Sequence, residues 1–226
     1  MIYYKLRELC RAVVDCPHST PQWRDSGVRV VRNFNLKDGN LDFSDGYFVD
    51  EATYQSRVKR AVPEEGDIIL SREAPMGVAA IVPGGLKCCL GQRLVLLKVD
   101  RTKCNPHYLL FALLSDYVQT QFKRADVTGS IVSNLCIPDL EEIIIPVVEG
   151  SQEEIAGLLA AINRKIQINC DVNDTLLQMA GALYLHRFFD RQANGKLADI
   201  LIEHPKSTIR VGEAKEAAGD FPFFTS

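Results

Sequence analysis

Residue types that could bind a metal or catalyse a reaction are scattered along this chain of 226 residues. The seven cysteines form no Cys-x-x-Cys pair, and the four histidines lack the i, i+4 spacing that places two zinc ligands on one helix face. Glu213-Ala214-Lys215 matches the last part of a nuclease motif, but no acidic pair accompanies it, so we interpret the match as coincidental. The sequence therefore predicts no metal site, no catalytic residues and no cofactor bound by this chain.

Side chains that suit the reading of DNA bases lie at the ends of predicted strands and in loops. Arginine can bind guanine through two acceptor atoms, and asparagine or glutamine can bind adenine through a donor and an acceptor. The predicted base contacts are Arg29, Arg32, Asn33, Ser71, Arg72, Glu73, Gln92 and Arg93. The predicted phosphate contacts are Lys123, Arg124 and Ser130. The alternative for each is a solvated or ion-paired surface residue. Trp23 and Tyr47 could stack on DNA, but we interpret both as core residues.

The charge balance limits how such a protein would bind DNA. The chain has 26 Lys and Arg against 29 Asp and Glu, which gives a formal net charge of −3. Proteins that bind DNA mainly by neutralising phosphates usually carry a basic excess. We therefore expect that the positive groups gather on one face, or that partner subunits supply the phosphate contacts.

Short strands and helices alternate over residues 1–150, which we predict to form one domain. Apolar runs bounded by turn residues predict strands over residues 28–32, 68–70, 77–82 and 93–99. Helix-start signals predict a helix over residues 50–60 with Asp50 as its N-cap. They also predict a helix from Asn105-Pro106 through Leu114, with a further piece over residues 117–123. Pro138-Asp139 is expected to open another strand.

Residues 151–190 differ in kind, because they predict one long helix. Ser151 and Glu154 have the spacing of a capping box, and no proline follows until Pro205. A helix over residues 152–189 would be about 57 Å long at ~1.5 Å per residue, which is too long for the preceding domain to cover. The predicted interface residues follow heptad spacing: Ile155, Leu158, Ile162, Ile166, Asn169, Val172, Leu176, Met179 and Leu183.

The apolar stripe of this helix predicts a partner helix. We expect a second copy of the chain to pack antiparallel against it, with Asn169 near the two-fold axis. The alternative is an amphipathic helix that lies on its own domain, with Asn169 at a solvated edge. Residues 191–226 end in the strand-like Phe221-Pro222-Phe223-Phe224. We interpret residues 191–226 as a linker and the truncated start of a second domain.

Cysteine usage and the N-terminal residues predict the compartment. The cysteine count is odd, and no apolar signal segment follows Met1. No apolar run approaches the ~20 residues that a membrane helix needs. The sequence therefore predicts a cytoplasmic protein with reduced cysteines and no membrane partner.

Three stretches, in this order and spacing, resemble one protein family. The first comprises Thr20-Pro21 and Gly27-Val28-Arg29-Val30-Val31-Arg32-Asn33-Phe34-Asn35. The second is Gly66-Asp67-Ile68-Ile69-Leu70-Ser71-Arg72-Glu73-Ala74-Pro75-Met76-Gly77, with Ile81-Val82 after it. The third comprises Ile137-Pro138 and Ile145-Pro146-Val147, followed by Gln152, Ile155, Ile162, Lys165-Ile166, Asn169, Asn173 and Leu176. Together they resemble the target-recognition domain and adjoining long helix of the specificity subunits of type I DNA restriction–modification systems.

The resemblance implies a fold and a set of partners. The fold would be α+β: a target-recognition domain with a twisted mixed or antiparallel sheet and short helices, followed by one long coiled-coil-type helix. A full subunit of this family has two such domains joined by two antiparallel helices, and each domain reads one half of a bipartite site in double-stranded DNA. The implied partners are adenine methyltransferase subunits, which carry S-adenosylmethionine, and restriction subunits, which use ATP. The specificity subunit would itself be non-catalytic, and Arg72 becomes the strongest candidate for a base contact.

This chain departs from the family pattern in having one recognition domain and one long helix. It therefore resembles a half-subunit or a truncated form. The Gly-rich cofactor loop and the Asn-Pro-Pro-aromatic motif of an adenine methyltransferase are both missing from the sequence. An alternative function is that of a truncated interaction module, which dimerises or sequesters methyltransferase subunits without productive DNA reading. An unrecognised enzyme is a third hypothesis, and the lack of clustered catalytic residues disfavours it.

Overall fold

A computed structural model of the protein describes residues 1–37, 39–44, 46–125, 134–189, 191, 195–196 and 199–202. These residues form eleven strands, five α-helices and two short 3-10 helices, Leu6–Glu8 and Asn33–Asn35. The strands are β1 (Ile2–Lys5), β2 (Cys10–Asp15), β3 (Val28–Val31), β4 (Leu36–Lys37), β5 (Asn40–Leu41), β6 (Phe48–Val49), β7 (Ile68–Ser71), β8 (Ala79–Ile81), β9 (Cys88–Leu90), β10 (Leu94–Val99) and β11 (Ile144–Val147). The helices are α1 (Glu51–Arg57), α2 (Pro106–Leu114), α3 (Asp116–Ala125), α4 (Ile137–Glu141) and α5 (Gln152–Phe188).

Two sheets form the framework of the domain. In the larger sheet β10 pairs antiparallel with β2 on one side and with β7 on the other, and β8 pairs with β7. In the smaller sheet β3 lies between β6, which is antiparallel to it, and β9, which is parallel. The other strands form two antiparallel pairs, β1 with β11 and β4 with β5. These mixed sheets, the short helices and the long α5 confirm the predicted α+β fold.

Both sheets are buried on two faces, so the domain is layered. Ile68 and Leu70 of β7 pack in a core that includes residues of α2 and α3, whereas Ile69 packs in a second core between the two sheets. A third core lies between the smaller sheet and α1, where Val30 packs with Tyr54. Strands buried on both faces appear in a sequence as continuous apolar runs, and Ile68-Ile69-Leu70 is such a run.

Two helices predicted from helix-start signals are confirmed, because the structure contains both helices and their predicted N-caps. The Asp50 carboxylate accepts from the Thr53 backbone N at 2.8 Å, and the Asn105 side-chain oxygen accepts from the Tyr108 backbone N at 3.2 Å. The prediction that Pro138-Asp139 opens a strand is wrong, because both residues lie in the first turn of α4. Backbone N–H groups in the first turn of a helix have no partner within the helix, so Pro138, which has no N–H, loses no hydrogen bond there. The carboxylate of Asp139 is favourable near a helix N-terminus.

The chain divides into two compact units, residues 1–172 and residues 173–226. Within the first unit the start of α5 is attached to the domain. Ala156 is buried in the main core, and the side-chain amides of Asn40 and Asn163 exchange two hydrogen bonds of 3.2 Å. The predicted domain boundaries at residues 150 and 190 stay predictions. The expected start of a second domain lies mostly outside the described residues.

Candidate nucleic-acid interface

Four strand ends meet at one end of the two sheets. β3 and β9 are parallel neighbours, so their carboxyl ends lie side by side at Val31 and Leu90. In the larger sheet, Ser71 at the end of β7 lies opposite Leu94, the first residue of β10. Residues 91–93 join β9 directly to β10. The polar residues that follow β3, β7 and β9 are therefore brought together, although they come from separate parts of the sequence.

These loops enclose a cleft of about 400 Å³. Four predicted base-reading residues line it, namely Arg32, Asn33, Gln92 and Arg93. The other lining residues are Thr20, Pro21, Trp23, Phe34, Ala74, Pro75 and Gly91. The cleft thus combines guanidinium and amide groups with exposed aromatic rings and with proline rings.

The guanidinium of Arg32 lies among three aromatic rings. Its Cζ atom is 4.3 Å from the ring centroid of Tyr47, 4.6 Å from that of Phe34 and 5.5 Å from that of Trp23. A guanidinium within about 6 Å of a ring centroid is attracted by the ring quadrupole, so the rings restrain this cation at the cleft. Trp23 is 38% exposed, and the prediction that it is a core residue is therefore wrong. Tyr47 is half-buried.

Asn33, Glu73 and Arg93 form a second polar group. The Asn33 Nδ2 donates to the Glu73 backbone oxygen at 2.6 Å, and the Asn33 Oδ1 is buried without a hydrogen-bond partner among the described residues. The Arg93 Nε lies 3.3 Å from the Glu73 Oε2, while the Arg93 side chain is 55% exposed. Arg93 has a φ of 66°, a left-handed conformation that residues other than glycine rarely adopt. Glu73 therefore orients Arg93, whose guanidinium remains accessible to a ligand.

The connection of residues 91–93 is anchored on both sides of the cleft. The Gly91 backbone N donates to the Val31 oxygen at 2.7 Å. A Cβ atom at Gly91 would lie 3.0 Å from the same oxygen, so this close approach favours glycine. Across the cleft, the Gln92 Nε2 donates to the backbone oxygen of His18. Gln92 is thus oriented by the segment that leads into Thr20 and Pro21.

Ser71 and Arg72 are buried, and their hydrogen bonds lie inside the domain. The Ser71 Oγ accepts from the Val78 backbone N at 2.9 Å. Arg72 forms an ion pair of 2.6 Å with Asp15 and donates from Nε to the Leu135 oxygen at 2.8 Å. A base contact requires donors or acceptors that reach the surface. The burial of both side chains therefore disfavours the predicted base contacts, which stay predictions.

Three other predicted DNA contacts lie away from the cleft lining. The Cζ atom of Arg29 lies 4.5 Å from the ring centroid of Phe43, and Arg29 does not line the cleft. Lys123 and Arg124 are exposed in the last turn of α3. Ser130 lies outside the described residues. The DNA-contacting roles of all four stay predictions.

Several lining residues were not predicted from the sequence. Ala74 and Pro75 follow Glu73 directly, and Phe34 follows Asn33, so proximity to a predicted residue was an available signal. Thr20 and Pro21 belong to the first resembling stretch, but neither was among the predicted DNA contacts. Their place in the cleft follows from the tertiary position of their loop.

The predicted interface face of α5 is exposed over most of its length. Ile155 packs partly against the main core. The exposed members are Leu158, Ile162, Ile166, Asn169, Val172, Leu176, Met179 and Leu183. A contiguous apolar stripe of this kind is typical of a protein–protein interaction surface.

Chemistry of other kinds finds little support in the described part of the chain. No group of three or more His, Cys, Asp or Glu side chains is placed there to hold a metal ion. Burial raises the pKa of the Cys16 thiol, and a hydrogen bond to the Asp139 carboxylate raises that of Cys136. Both thiols are therefore protonated near neutral pH. None of the described helices is long and apolar enough to span a membrane.

Residues 35–178 match a family model, that of the type I restriction modification DNA specificity domain. Among curated proteins no sequence matches the chain. Solved structures nevertheless share its fold. The HsdS subunit from Thermoanaerobacter tengcongensis matches with a TM-score of 0.54 and 19% identity, over 81% of this chain and 48% of that one.

Two further structures match at similar levels. The type I restriction–modification S subunit from M. genitalium has a TM-score of 0.57 and 14% identity, over 82% of this chain and 45% of that chain. A chain from a study of complex assembly and conformational transition of the type I restriction–modification system has a TM-score of 0.52 and 17% identity, over 80% of this chain and 43% of that one. The chain therefore spans less than half the length of the structures that it resembles.

Proposed function

The chain belongs to the family of type I restriction–modification DNA specificity domains, and from that premise we propose that it is a sequence-reading DNA-binding subunit, not an enzyme. It reads one half of a bipartite site in double-stranded DNA. On that site it positions adenine methyltransferase subunits, which carry the S-adenosylmethionine, while restriction subunits with ATP-driven activity are further partners. The chain itself contributes recognition and needs no cofactor.

The observation that carries this proposal is the cleft at the strand ends. Arg32 and Arg93 supply the guanidinium groups, and Asn33 and Gln92 the amides, that suit guanine and adenine edges. The exposed ring of Trp23 adds an apolar surface for a thymine methyl group or a sugar. Residues on four strand ends place these groups with little freedom, as base reading requires.

Affinity in this proposal comes largely from partner subunits. The net charge of −3 means that few counterions are released when the chain alone approaches DNA. Methyltransferase subunits would add phosphate contacts, while the cleft supplies discrimination between sequences. We therefore expect weak binding by the chain alone and strong, sequence-dependent binding by the complex.

A second candidate function is favoured by the exposed stripe of α5. A chain that only dimerises or sequesters methyltransferase subunits would use this stripe without reading DNA. The stripe also supports a homodimer within the main proposal, in which two antiparallel copies of α5 cover each other's apolar residues. Two identical recognition domains would then read an interrupted palindrome.

Selection from a library of randomised DNA duplexes tests the proposed function. The chain, with and without methyltransferase subunits, is used to enrich duplexes, and fluorescence anisotropy then compares the enriched duplex with a scrambled one. We expect Arg93→Ala to lower the ratio of the two affinities, by roughly 1–3 kcal/mol if Arg93 makes a bidentate base contact. If the complex enriches no duplex, the second candidate function, that of an interaction module that does not read DNA, is favoured.

A matched control separates base reading from a general loss of charge. Arg7 is also an exposed arginine in an ion pair, with Glu142, and it does not line the cleft. Arg7→Ala should leave discrimination unchanged. Equal losses for Arg7→Ala and Arg93→Ala on every duplex would assign Arg93 to phosphate attraction.

A further inference from the structure

The Arg57 side chain is buried behind the cleft, in the last turn of α1. Only 9% of the residue is exposed. Its Nε and Nη2 donate to the Leu90 backbone oxygen at 3.0 and 2.8 Å, and its Nη1 donates to the Ser19 oxygen at 2.9 Å. A longer contact of 3.4 Å joins Nη2 to the oxygen of Pro17. The guanidinium fork thus spans two separate segments of backbone.

No carboxylate forms an ion pair with Arg57 in the described part of the chain. The Cys89 thiol also contacts the guanidinium, but burial raises its pKa to about 11, so it is a neutral neighbour at physiological pH. Burying a cation without a counter-ion is costly. An apolar side chain of similar length would avoid that cost but would leave the backbone oxygens without donors. The geometry of the fork is therefore what distinguishes arginine at this position.

The two segments that Arg57 joins each lead into a different part of the cleft lining, and we call these two parts its walls. Leu90 ends β9 and is followed by Gly91, Gln92 and Arg93, which line one wall. Ser19 is followed by Thr20 and Pro21, which line the other. Besides Arg57, the hydrogen bond from Gln92 to the His18 oxygen also crosses between these walls. Cys16 and Leu94, at the bases of the two segments, are also joined, by hydrogen bonds of 3.2 Å from the Cys16 N to the Leu94 oxygen and 3.3 Å from the Leu94 N to the Cys16 Sγ. Beyond that pair, the buried Arg57 fork and the Gln92 amide at the surface hold the two walls together.

We infer that Arg57 is a positioning residue for sequence discrimination: it fixes the distance between the wall that carries Gln92 and Arg93 and the wall of Thr20 and Pro21. The inference rests on the proposed function, because the cleft is taken as the DNA-reading site. Arg57 does not touch DNA in this account. It acts through the two backbone segments to which it donates.

Two substitutions separate the fork from the charge. Arg57→Met keeps the length of the side chain and removes every donor. Arg57→Lys keeps the charge but replaces a planar fork with a single ammonium group, which cannot bind both segments in the same geometry. Arg60→Met is the matched control, since Arg60 lies three residues later, is exposed, and reaches backbone only through a long contact of 3.5 Å from its Nη1 to the Asp15 oxygen.

The first measurement is hydrogen–deuterium exchange of the full chain. In Arg57→Met and Arg57→Lys we expect faster exchange at the amides of residues 18–20 and 91–93, with the exchange of β7 and β10 unchanged. Arg60→Met should match the wild type. Faster exchange throughout the domain, or no local change in either variant, would overturn the inference.

The second measurement uses the complex with methyltransferase subunits and the duplex that the wild type enriches, against a scrambled duplex. Both Arg57 variants should reduce the affinity ratio about tenfold, with little change in binding to the scrambled duplex. An unchanged ratio in variants that retain the wild-type fold by circular dichroism would overturn the positioning role. If the wild type enriches no duplex, the proposed function fails, while the exchange measurement still decides whether Arg57 sets the wall spacing.

Discussion

The arginines of this domain differ in what surrounds their guanidinium groups, and those surroundings separate their roles. Arg32 lies among aromatic rings at the cleft, and Arg93 is exposed beside a single carboxylate. Arg57 and Arg72 are buried, and their donors are occupied by backbone oxygens and, for Arg72, by Asp15 as well. Only the first two therefore present donors to a ligand. A position in a sequence motif did not distinguish Arg72 from Arg93, but burial does.

Replacing Arg72 tests this division directly. Arg72→Ala removes the arginine paired with Asp15 and leaves the Leu135 oxygen without the donor Nε of Arg72. We expect a loss of about 1.5–3 kcal/mol in the free energy of unfolding, measured with urea, because the lost hydrogen bonds involve charged groups. Arg93→Ala, at an exposed site, should cost less than about 0.5 kcal/mol. If Arg72→Ala is as stable as the wild type and loses only base discrimination, Arg72 is a base contact after all.

Buried thiols predict how the stability depends on pH. Burial raises the pKa of Cys10, Cys88 and Cys104 from 9.0 to about 12. Between these values the folded state holds protons that the unfolded state releases. Their contribution is therefore complete below pH 9 and is lost as the pH rises towards 12. In this range the free energy of unfolding should fall by about 1.4 kcal/mol per pH unit for each thiol.

Urea unfolding at several pH values between about 8 and 10.5 measures this slope. Cys104→Ala should have a shallower slope than the wild type, because one titrating thiol is gone. Cys170→Ala is the control, since Cys170 is exposed and should leave the slope unchanged. Identical slopes in all three proteins would contradict the assignment of the pH dependence to buried thiols.

At the scale of elements, local signals were sufficient where one local interaction dominates. The caps at Asp50 and Asn105 and the buried run at Ile68-Ile69-Leu70 were readable because each depends on neighbouring residues alone. β9 was not predicted. Its Cys88-Cys89-Leu90 is short, and its pairing partner β3 is distant in the sequence. The α4 segment was misread because proline opens both helices and strands.

The site was predictable only in part, for the same reason. Residue type and strand-end position were enough to suggest Arg32, Asn33, Gln92 and Arg93. Burial decides between base contact and internal hydrogen bond, and it depends on tertiary packing that a single sequence does not show. The role of Arg57 could not be predicted from the sequence, because its partners are backbone oxygens, which every residue carries.

Asn105 connects two helices, and its substitution tests how elements are joined. Its side-chain oxygen caps α2, and its Nδ2 donates to the Glu153 carboxylate in the first turn of α5 at 2.8 Å. We expect Asn105→Ala to cost about 1–2 kcal/mol in urea unfolding, since an N-cap is lost. Asn105→Asp keeps the cap, so most of the stability lost in the alanine variant should return. The remaining loss comes from the new carboxylate, which lies beside that of Glu153. If the alanine variant is fully stable, the cap contributes nothing.

At the scale of the whole molecule, one surface has no counterpart within the described part of the chain. The exposed stripe of α5 carries apolar side chains at heptad spacing, and each such side chain contributes roughly 1.5–3 kcal/mol when fully buried. Within the described part of the chain, that contribution is unused. The net charge of −3 is small, so two copies of the chain repel each other only weakly and can associate.

A homodimer through α5 is the assembly that these features predict. In an antiparallel pair the two-fold axis passes close to Asn169, so the two Asn169 side chains meet near the axis and Ile162 of one copy lies near Leu176 of the other. Sedimentation equilibrium at micromolar concentration should give a dimer for the wild type. The double variant Ile162→Asp, Leu176→Asp should sediment as a monomer, because each charge would be buried at the interface.

The matched control for this prediction adds the same two carboxylates elsewhere on the helix. Ala161 and Gly181 are exposed and lie outside the predicted stripe, so Ala161→Asp, Gly181→Asp should remain dimeric. Circular dichroism establishes that both double variants keep their helix. A wild-type chain that is monomeric both alone and with methyltransferase subunits would rule out the symmetric dimer. The stripe would then be left to a different partner, and a single recognition domain would read a single half-site.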